Sequence, residues 1–276
     1  MAAGSLPEQG RRQASEVRER ARGELRRLDP ADLDRVADEL FALAGLLTRE
    51  LRLRRALADP SLPGEVKRRL LTELLGGRAH EATLALLGQL VDGPRLLPVA
   101  LADLVEELGA MALFVKADAA GSLDDVEDEL YRFSRLVARE HALRAALTSA
   151  TLPTERKLAL LDELLSGRAD PITVRLVRQV VQAPRGRTIE RATEALARQA
   201  AAYRGRVIAE VTVAAPLEPA QAERLGEVLG RRRGGPVRLQ VVVDPSIMGG
   251  MVVRVGDELI DGSVRRQLER ARGGLG

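Results

Sequence analysis

"LPTERKLALLDELLSGRADPITVRLVRQVVQAPR", Leu152–Arg185, repeats "LPGEVKRRLLTELLGGRAHEATLALLGQLVDGPR", Leu62–Arg95, at a distance of 90 residues. The ungapped match extends backwards to Glu39 and Glu129, giving 27 identities in 57 positions. Two copies at so long a period do not make a solenoid, so one domain is present twice. Its elements read as helices. Val36, Leu40, Leu43 and Leu47 recur at spacings of three and four, and Val126, Leu130, Phe133 and Val137 repeat the stripe. The acidic run Asp124–Glu129 opens the second copy of that helix, where carboxylates suit the positive end of the helix dipole.

The next helix of each copy starts near Pro63 or Pro153, carries Glu65 or Glu155 in its first turn, and stops at Gly77 or Gly167. Leu70, Leu71, Leu74 and Leu75 are its expected buried face, as are Leu160, Leu161, Leu164 and Leu165. "ATLALLGQLV" and "ITVRLVRQVV" make one further helix each. Between the copies Leu97, Leu101, Leu104, Leu108, Met111 and Val115 hold 4-3-4-3-4 spacing, which predicts a long helix serving both. Ile189, Leu196, Ala200 and Tyr203 close the second copy in a similar way.

From Arg206 the period becomes two. "RVIAEVTVA" places Val207, Ala209, Val211 and Val213 on one face of a strand. A helix after Pro219 carries Ala222, Leu225 and Leu229 on one side. "VRLQVVV" predicts a second strand with Val237, Leu239, Val241 and Val243 on one face. "GMVVRV" and "ELI" follow as strands joined at Gly256-Asp257, a hairpin signal. The fold class is α+β overall and mostly α. Two helical bundles, residues 1–109 and 110–205, precede a small α+β domain at 206–276.

Composition narrows the chemistry. The chain has no cysteine, which excludes disulfides, Cys-ligated zinc and a thiol nucleophile. No apolar run approaches the roughly 18 residues of a membrane helix, and the N-terminal residues carry no signal-peptide core. The sequence pI is 9.7, yet the charge lies in alternating blocks: residues 101–130 hold nine acidic groups against Lys116. Only 2% of residues are aromatic, so a continuous basic face with stacking side chains is not expected. An arginine-rich helical nucleic-acid-binding adaptor is the rival reading, which steep salt sensitivity of generic DNA binding would favour.

The stretch "VVVDPSIMGGMVVRVGDELIDGSVRRQLERAR", Val241–Arg272, looks like a written site. Asp244, Pro245, Gly249 and Gly250 lie where a strand is expected to turn into its neighbour, and glycine there allows positive φ or close backbone approach. Asp261, Gly262 and Ser263 read as a strand-to-helix corner with Ser263 capping a last helix. A phosphate loop would want a lysine, and none lies beyond Lys157. Asp257 and Asp261 lack calcium-loop spacing. His80 falls at a helix start and His141 at a helix end, with no third partner for a triad or metal. Turn and cap roles are therefore expected at Asp244, Pro245, Gly249, Gly250, Gly256, Asp261, Gly262 and Ser263, with no catalytic, cofactor or metal residue.

That stretch resembles the C-terminal signature of the F-type ATP synthase delta subunit family, called OSCP in mitochondria. "RVIAEVTVAAPLEPAQAERLGEVLG" resembles the strand and helix leading into it, and "LPTERKLALLDELL" and "VVQAPRGRTIERATEAL" resemble the family's helical domain. The resemblance runs from about Ala110 to the end. It implies a non-catalytic stator component without cofactor, at the cytoplasmic face of the cell membrane. The helical domain would grip the N-terminal helix of the alpha subunit in a groove, and the C-terminal domain would join the head to the b subunits. Rotor torque would then be used to make ATP. The family usually has one helical domain; the doubled form resembles the actinobacterial version, here with separate b subunits supplying the membrane anchor.

Overall fold

The computed structural model describes residues 8–92, 97–205, 207–233, 237–245, 247, 249–255 and 258–261. They gather into two compact units, Met1–Ala197 and Arg198–Gly276. The first unit is helical: α1 (Glu8–Leu25), α2 (Pro30–Arg49), α3 (Leu51–Ala58), α4 (Gly64–Leu74), α5 (Glu81–Asp92), α6 (Pro98–Ala120), α7 (Leu123–Arg139), α8 (His141–Thr148), α9 (Thr154–Leu165) and α10 (Pro171–Gln182), with α11 (Ile189–Tyr203) running across the division. The 90-residue spacing carries α2–α5 onto α7–α10 element by element.

Local chemistry sets the helix starts. The Asp29 carboxylate accepts from the backbone N–H groups of Ala31 and Asp32 at 2.9 and 2.8 Å, and Pro30 supplies the first turn of α2. Asp170 does the same for α10, accepting from Ile172 N–H at 2.7 Å ahead of Pro171. Pro63 and Pro153 sit one position earlier than the sequence suggested, flanking α4 and α9 rather than opening them. Left-handed Gly77 and Gly167, φ 64 and 71, follow those helices.

The predicted long helix is α6. Leu101, Leu104, Leu108, Met111 and Val115 are buried along it, whereas Leu97 precedes its first turn and is 56% exposed. It packs against α1, α2 and α3 of the first copy and against α7 and α10 of the second. α1 starts 90 residues before residue 98, so α6 closes one copy and opens the next. The residue 109/110 division falls inside this helix. α2 and α6 run antiparallel, with Lys116 Nζ 2.5 Å from Asp34 and Gly109 against Phe41. A Cβ on Gly109 would come within 2.9 Å of the Phe41 ring, which is why the closest approach is made by glycine.

The shorter helices bury less than their leucine runs promise. In α4 only Leu71 of the four expected leucines is buried, and Leu74 is 39% exposed; in α9 the buried residues are Leu161 and, one turn earlier, Leu158. These helices pack chiefly on α5 and α10 respectively, so one narrow stripe is covered and the flanking leucines are left at its edges.

The second unit is a four-stranded sheet in the order β2-β1-β3-β4 with helix α12 (Pro219–Arg233). Central β1 (Val207–Val213) runs parallel to β2 (Val237–Val243) and antiparallel to β3 (Met251–Val255), which pairs antiparallel with β4 (Glu258–Asp261). Ala209, Val211 and Val213 form the expected inner face of β1 and meet Leu229, Val253 and Val255 in the core. Edge strand β2 departs from its expected face: Val237 and Leu239 pack on the core, but Val241 and Val243 are exposed and Gln240 is buried.

Candidate functional site

The signature stretch begins where β2 ends. Asp244 donates its backbone N–H to the Val213 carbonyl at the end of β1 (2.8 Å), and its own carbonyl accepts from Ile247 (3.2 Å). Pro245 is exposed between them. β2 and β3 are not neighbours, because β1 lies between them, so this segment passes β1 instead of turning back on β2. Gly249 and Gly250 take φ 107 and 79 just before β3. Those angles suit glycine and strain a residue with a Cβ. Val255 pairs with Glu258 across the β3–β4 hairpin, and the two residues joining them, Gly256 and Asp257, lie outside the described residues. Gly262 and Ser263 also lie outside them, and Asp261 is the last residue of β4.

In the helical copies the polar chemistry goes into holding helices. Glu39 on α2 accepts from the His80 backbone N–H at 2.9 Å and from the Thr83 hydroxyl at 2.5 Å, closing the start of α5. Glu129 on α7 repeats the arrangement with Asp170 N–H at 2.9 Å and Thr173 at 2.6 Å. A carboxylate from one helix thus satisfies the open N–H groups of another. Burial alone would raise the pKa of the Glu39 carboxyl. The bonds from Thr83, His80 and Arg35, with the Arg35 charge, outweigh it and hold the group below the usual carboxylate range. Sequence reading missed this clamp. The signal was there: Glu39/Glu129 and Thr83/Thr173 are identical polar pairs in a repeat whose other identities are mostly apolar.

His80 has a structural task as well. Its Nδ1 accepts from Ala82 N–H at 3.2 Å, which leaves Nε2 to donate toward Asp32 at 3.3 Å. It starts α5 as Asp170 starts α10. His141 is the exposed first residue of α8, at a helix start and not at the helix end expected.

Ion pairs join the second copy to the first. Arg175 on α10 reaches Asp34 and Asp38 on α2 at 2.5 and 2.6 Å, and Lys116 shares Asp34. Arg185 follows α10 with φ 52 and is inserted against α6, its side chain 7% exposed. It bonds Asp103 at 2.6 Å, Glu106 at 2.9 Å and the Ala102 carbonyl at 3.1 Å, while Arg187 takes the same Glu106 at 2.8 Å. Two cations and two carboxylates neutralise one another there, the arrangement that makes buried charge tolerable. Much of the acidic block at 101–130 is thus consumed inside the protein.

Among the described residues no group of three or more His, Asp or Glu is placed to hold a metal, and no helix is long and apolar enough to cross a membrane. What remains is a pair of helical modules, their surfaces and a small sheet.

The family model described as "ATP synthase delta (OSCP) subunit" matches this chain twice, over residues 28–108 and 105–275. The chain belongs to the ATP synthase delta (OSCP) subunit family. It is a stator component of the F-type ATP synthase and works within that complex. The first match falls on the first helical copy and the second on the second copy together with the C-terminal unit, so the family likeness covers the first copy as well as the stretch from about Ala110 onward. The ATP synthase subunit delta of Streptomyces griseus is 44% identical over 87% of this chain and 89% of that protein. That of Salinispora arenicola is 43% identical over 91% of this chain and 92% of its own length. A chain of the cryo-EM structure of the Toxoplasma gondii mitochondrial ATP synthase hexamer aligns at 23% identity and TM-score 0.37, over 60% of this chain and 94% of that one.

Proposed function

We propose that this chain is a non-catalytic tether at the cytoplasmic face of the membrane, holding the catalytic head of the ATP synthase still against the rotor. The second helical copy grips the amphipathic N-terminal helix of the alpha subunit by the helix-in-groove mode. The C-terminal domain, residues 206–276, binds the b subunits, which supply the membrane anchor. Residues 1–109 and 110–205 act as separate recognition modules joined through α6. The observation that carries this reading is the double family match on a duplicated helical module that directs its buried polar groups into helix caps and ion pairs. The second copy is assigned to the head because it directly precedes the signature domain in the chain.

Asp244, Pro245, Gly249, Gly250, Gly256, Asp261, Gly262 and Ser263 serve the tail as turn and cap residues. Nucleic acid has no part in the role, and no cofactor is required. A joint that must survive torque calls for nanomolar affinity, about −12 kcal/mol. Calorimetry of the full chain with a peptide of the alpha-subunit N-terminus tests the assignment. Nanomolar binding, lost when apolar residues on the second copy's surface are made charged, is expected. Binding abolished only by changes in the first copy would reverse the assignment. Tight stoichiometric binding of a nucleotide or divalent ion would overturn the non-catalytic reading.

A further inference from the structure

The two copies differ in their pairing at one corner. In the second copy, Arg144 on α8 pairs at 3.5 Å with Glu190 in the first turn of α11. The residue 90 positions earlier, Arg54 on α3, has no such partner among the described residues. α3 packs on α6, but the first turn of α6 carries no acidic residue, and the nearest carboxylate along that helix, Asp103, is bound to Arg185. The Arg54 Nε is buried without a hydrogen-bond partner. That Nε is closed to solvent, so an acceptor from outside would meet the terminal NH groups of the same guanidinium fork.

The surroundings match that vacancy in chemistry. Arg49, Arg52 and Arg55 are exposed and make no hydrogen bond or ion pair among the described residues. The second copy has alanine at the positions of Arg52 and Arg55, Ala142 and Ala145. The antiparallel run of α2 and α6 brings the end of α2, and with it α3, to the start of α6. Three aliphatic side chains at that end are held in water: Leu51 43%, Leu97 56% and Val99 57% exposed. Solvated arginines alone would be unremarkable on so basic a chain. Exposed aliphatic side chains beside unpaired arginines, one with a buried and unsatisfied Nε, have the composition of an unpaired interface.

We infer that the α2–α3 corner of the first copy docks an acidic segment of a neighbouring protein, whose carboxylate on Arg54 does what Glu190 does for Arg144. Arginine suits the task because its planar fork takes carboxylates bidentately. The partner segment carries at least one aliphatic side chain to cover Leu51, Leu97 and Val99. The inference rests on the chain's place in the ATP synthase but not on which copy grips the head; it gives the additional copy a contact of its own.

The test uses the full chain in ATP synthase purified from membranes, with a photo-cross-linking residue in place of Arg52. The expected product is a cross-link to a protein segment rich in Asp or Glu. Ala100→Glu would offer Arg54 an internal carboxylate from the first turn of α6; it should raise the melting temperature of the free chain and cut the cross-link yield at least fivefold. Ala100→Gln should leave the yield within twofold of the parent. A cross-link to lipid, to a segment without acidic residues, or to nothing would overturn the inference, as would an Ala100→Glu yield equal to the parent. Absence of the chain from the purified complex would instead count against the stator reading.

Discussion

The two helical copies hold their folds with the same residues and meet their surroundings with different ones. Glu39 and Glu129 clamp the following helix through the same backbone position and the same threonine. The loops after α3 and α8 also agree in form: Asp59 accepts from Ser61 N–H, and Ser149 from Thr151 N–H. Several of the differences between the copies are at charges: His80 against Asp170, Arg52 against Ala142, Ala85 against Arg175. A duplicated domain keeps what satisfies its buried backbone and is free to change what faces a partner. Here some of those changed charges serve to lock one copy onto the other.

The largest effect should come from the junction at Arg185, whose counterpart Arg95 lies outside the described residues. Arg185→Ala leaves Glu106, itself buried, and Asp103 short of their cation, and should cost about 3–5 kcal/mol in denaturant unfolding. Arg185→Gly would relieve the positive φ but lose the same bonds, so it should recover only a small part. A cost under about 1 kcal/mol for Arg185→Ala would show that the cluster does not hold the copies together.

The clamps come next and sharpen the comparison, since both copies should respond alike. Glu39→Ala and Glu129→Ala each strip an acceptor from a backbone N–H and a threonine hydroxyl, costing about 2–3 kcal/mol. Acid should act on Glu39 in the same direction. Its folded pKa lies below the unfolded one, so its stabilisation is present above the usual carboxylate value of 4.5 and is lost as pH falls through the folded value. Glu39→Gln should flatten the acid limb of a stability–pH curve, and an unchanged limb would contradict the clamp.

Smaller effects are expected in the tail and at the caps. Gly250→Val places a β-branched side chain at φ 79 and should cost about 2 kcal/mol, without loss of the helical unit's cooperative unfolding. Asp29→Ala and Asp170→Ala should cost about 1 kcal/mol each, as capping residues do. Melting curves of the full chain read both, and equal stability of parent and Gly250→Val would remove the turn role.

Much of this was legible because the repeat is strong and the apolar spacing regular. Three helices per copy, the long shared helix at Leu101–Val115 and the inner face of β1 follow from period; α1, α3 and α8 were not among the expected helices. Burial depth was not legible. Leu74 and Val241 have core chemistry but lie at the edge of a helix pair and on an edge strand, where no neighbouring element covers them. The route of Asp244–Gly250 past β1 depends on strand order, which local turn signals do not encode. Ion pairs such as Arg175–Asp34 join residues 141 positions apart and leave no local trace.

Coupling is the most direct test of the stator role. Membranes bearing the rest of the ATP synthase but lacking this chain should make little ATP from an imposed proton gradient. Adding the purified chain should restore gradient-driven synthesis while leaving ATP hydrolysis by the detached head unchanged. Restored synthesis with the full chain, and none with residues 206–276 deleted, is the expected result. Synthesis that proceeds equally with and without the chain would contradict the claim that it holds the head against the rotor.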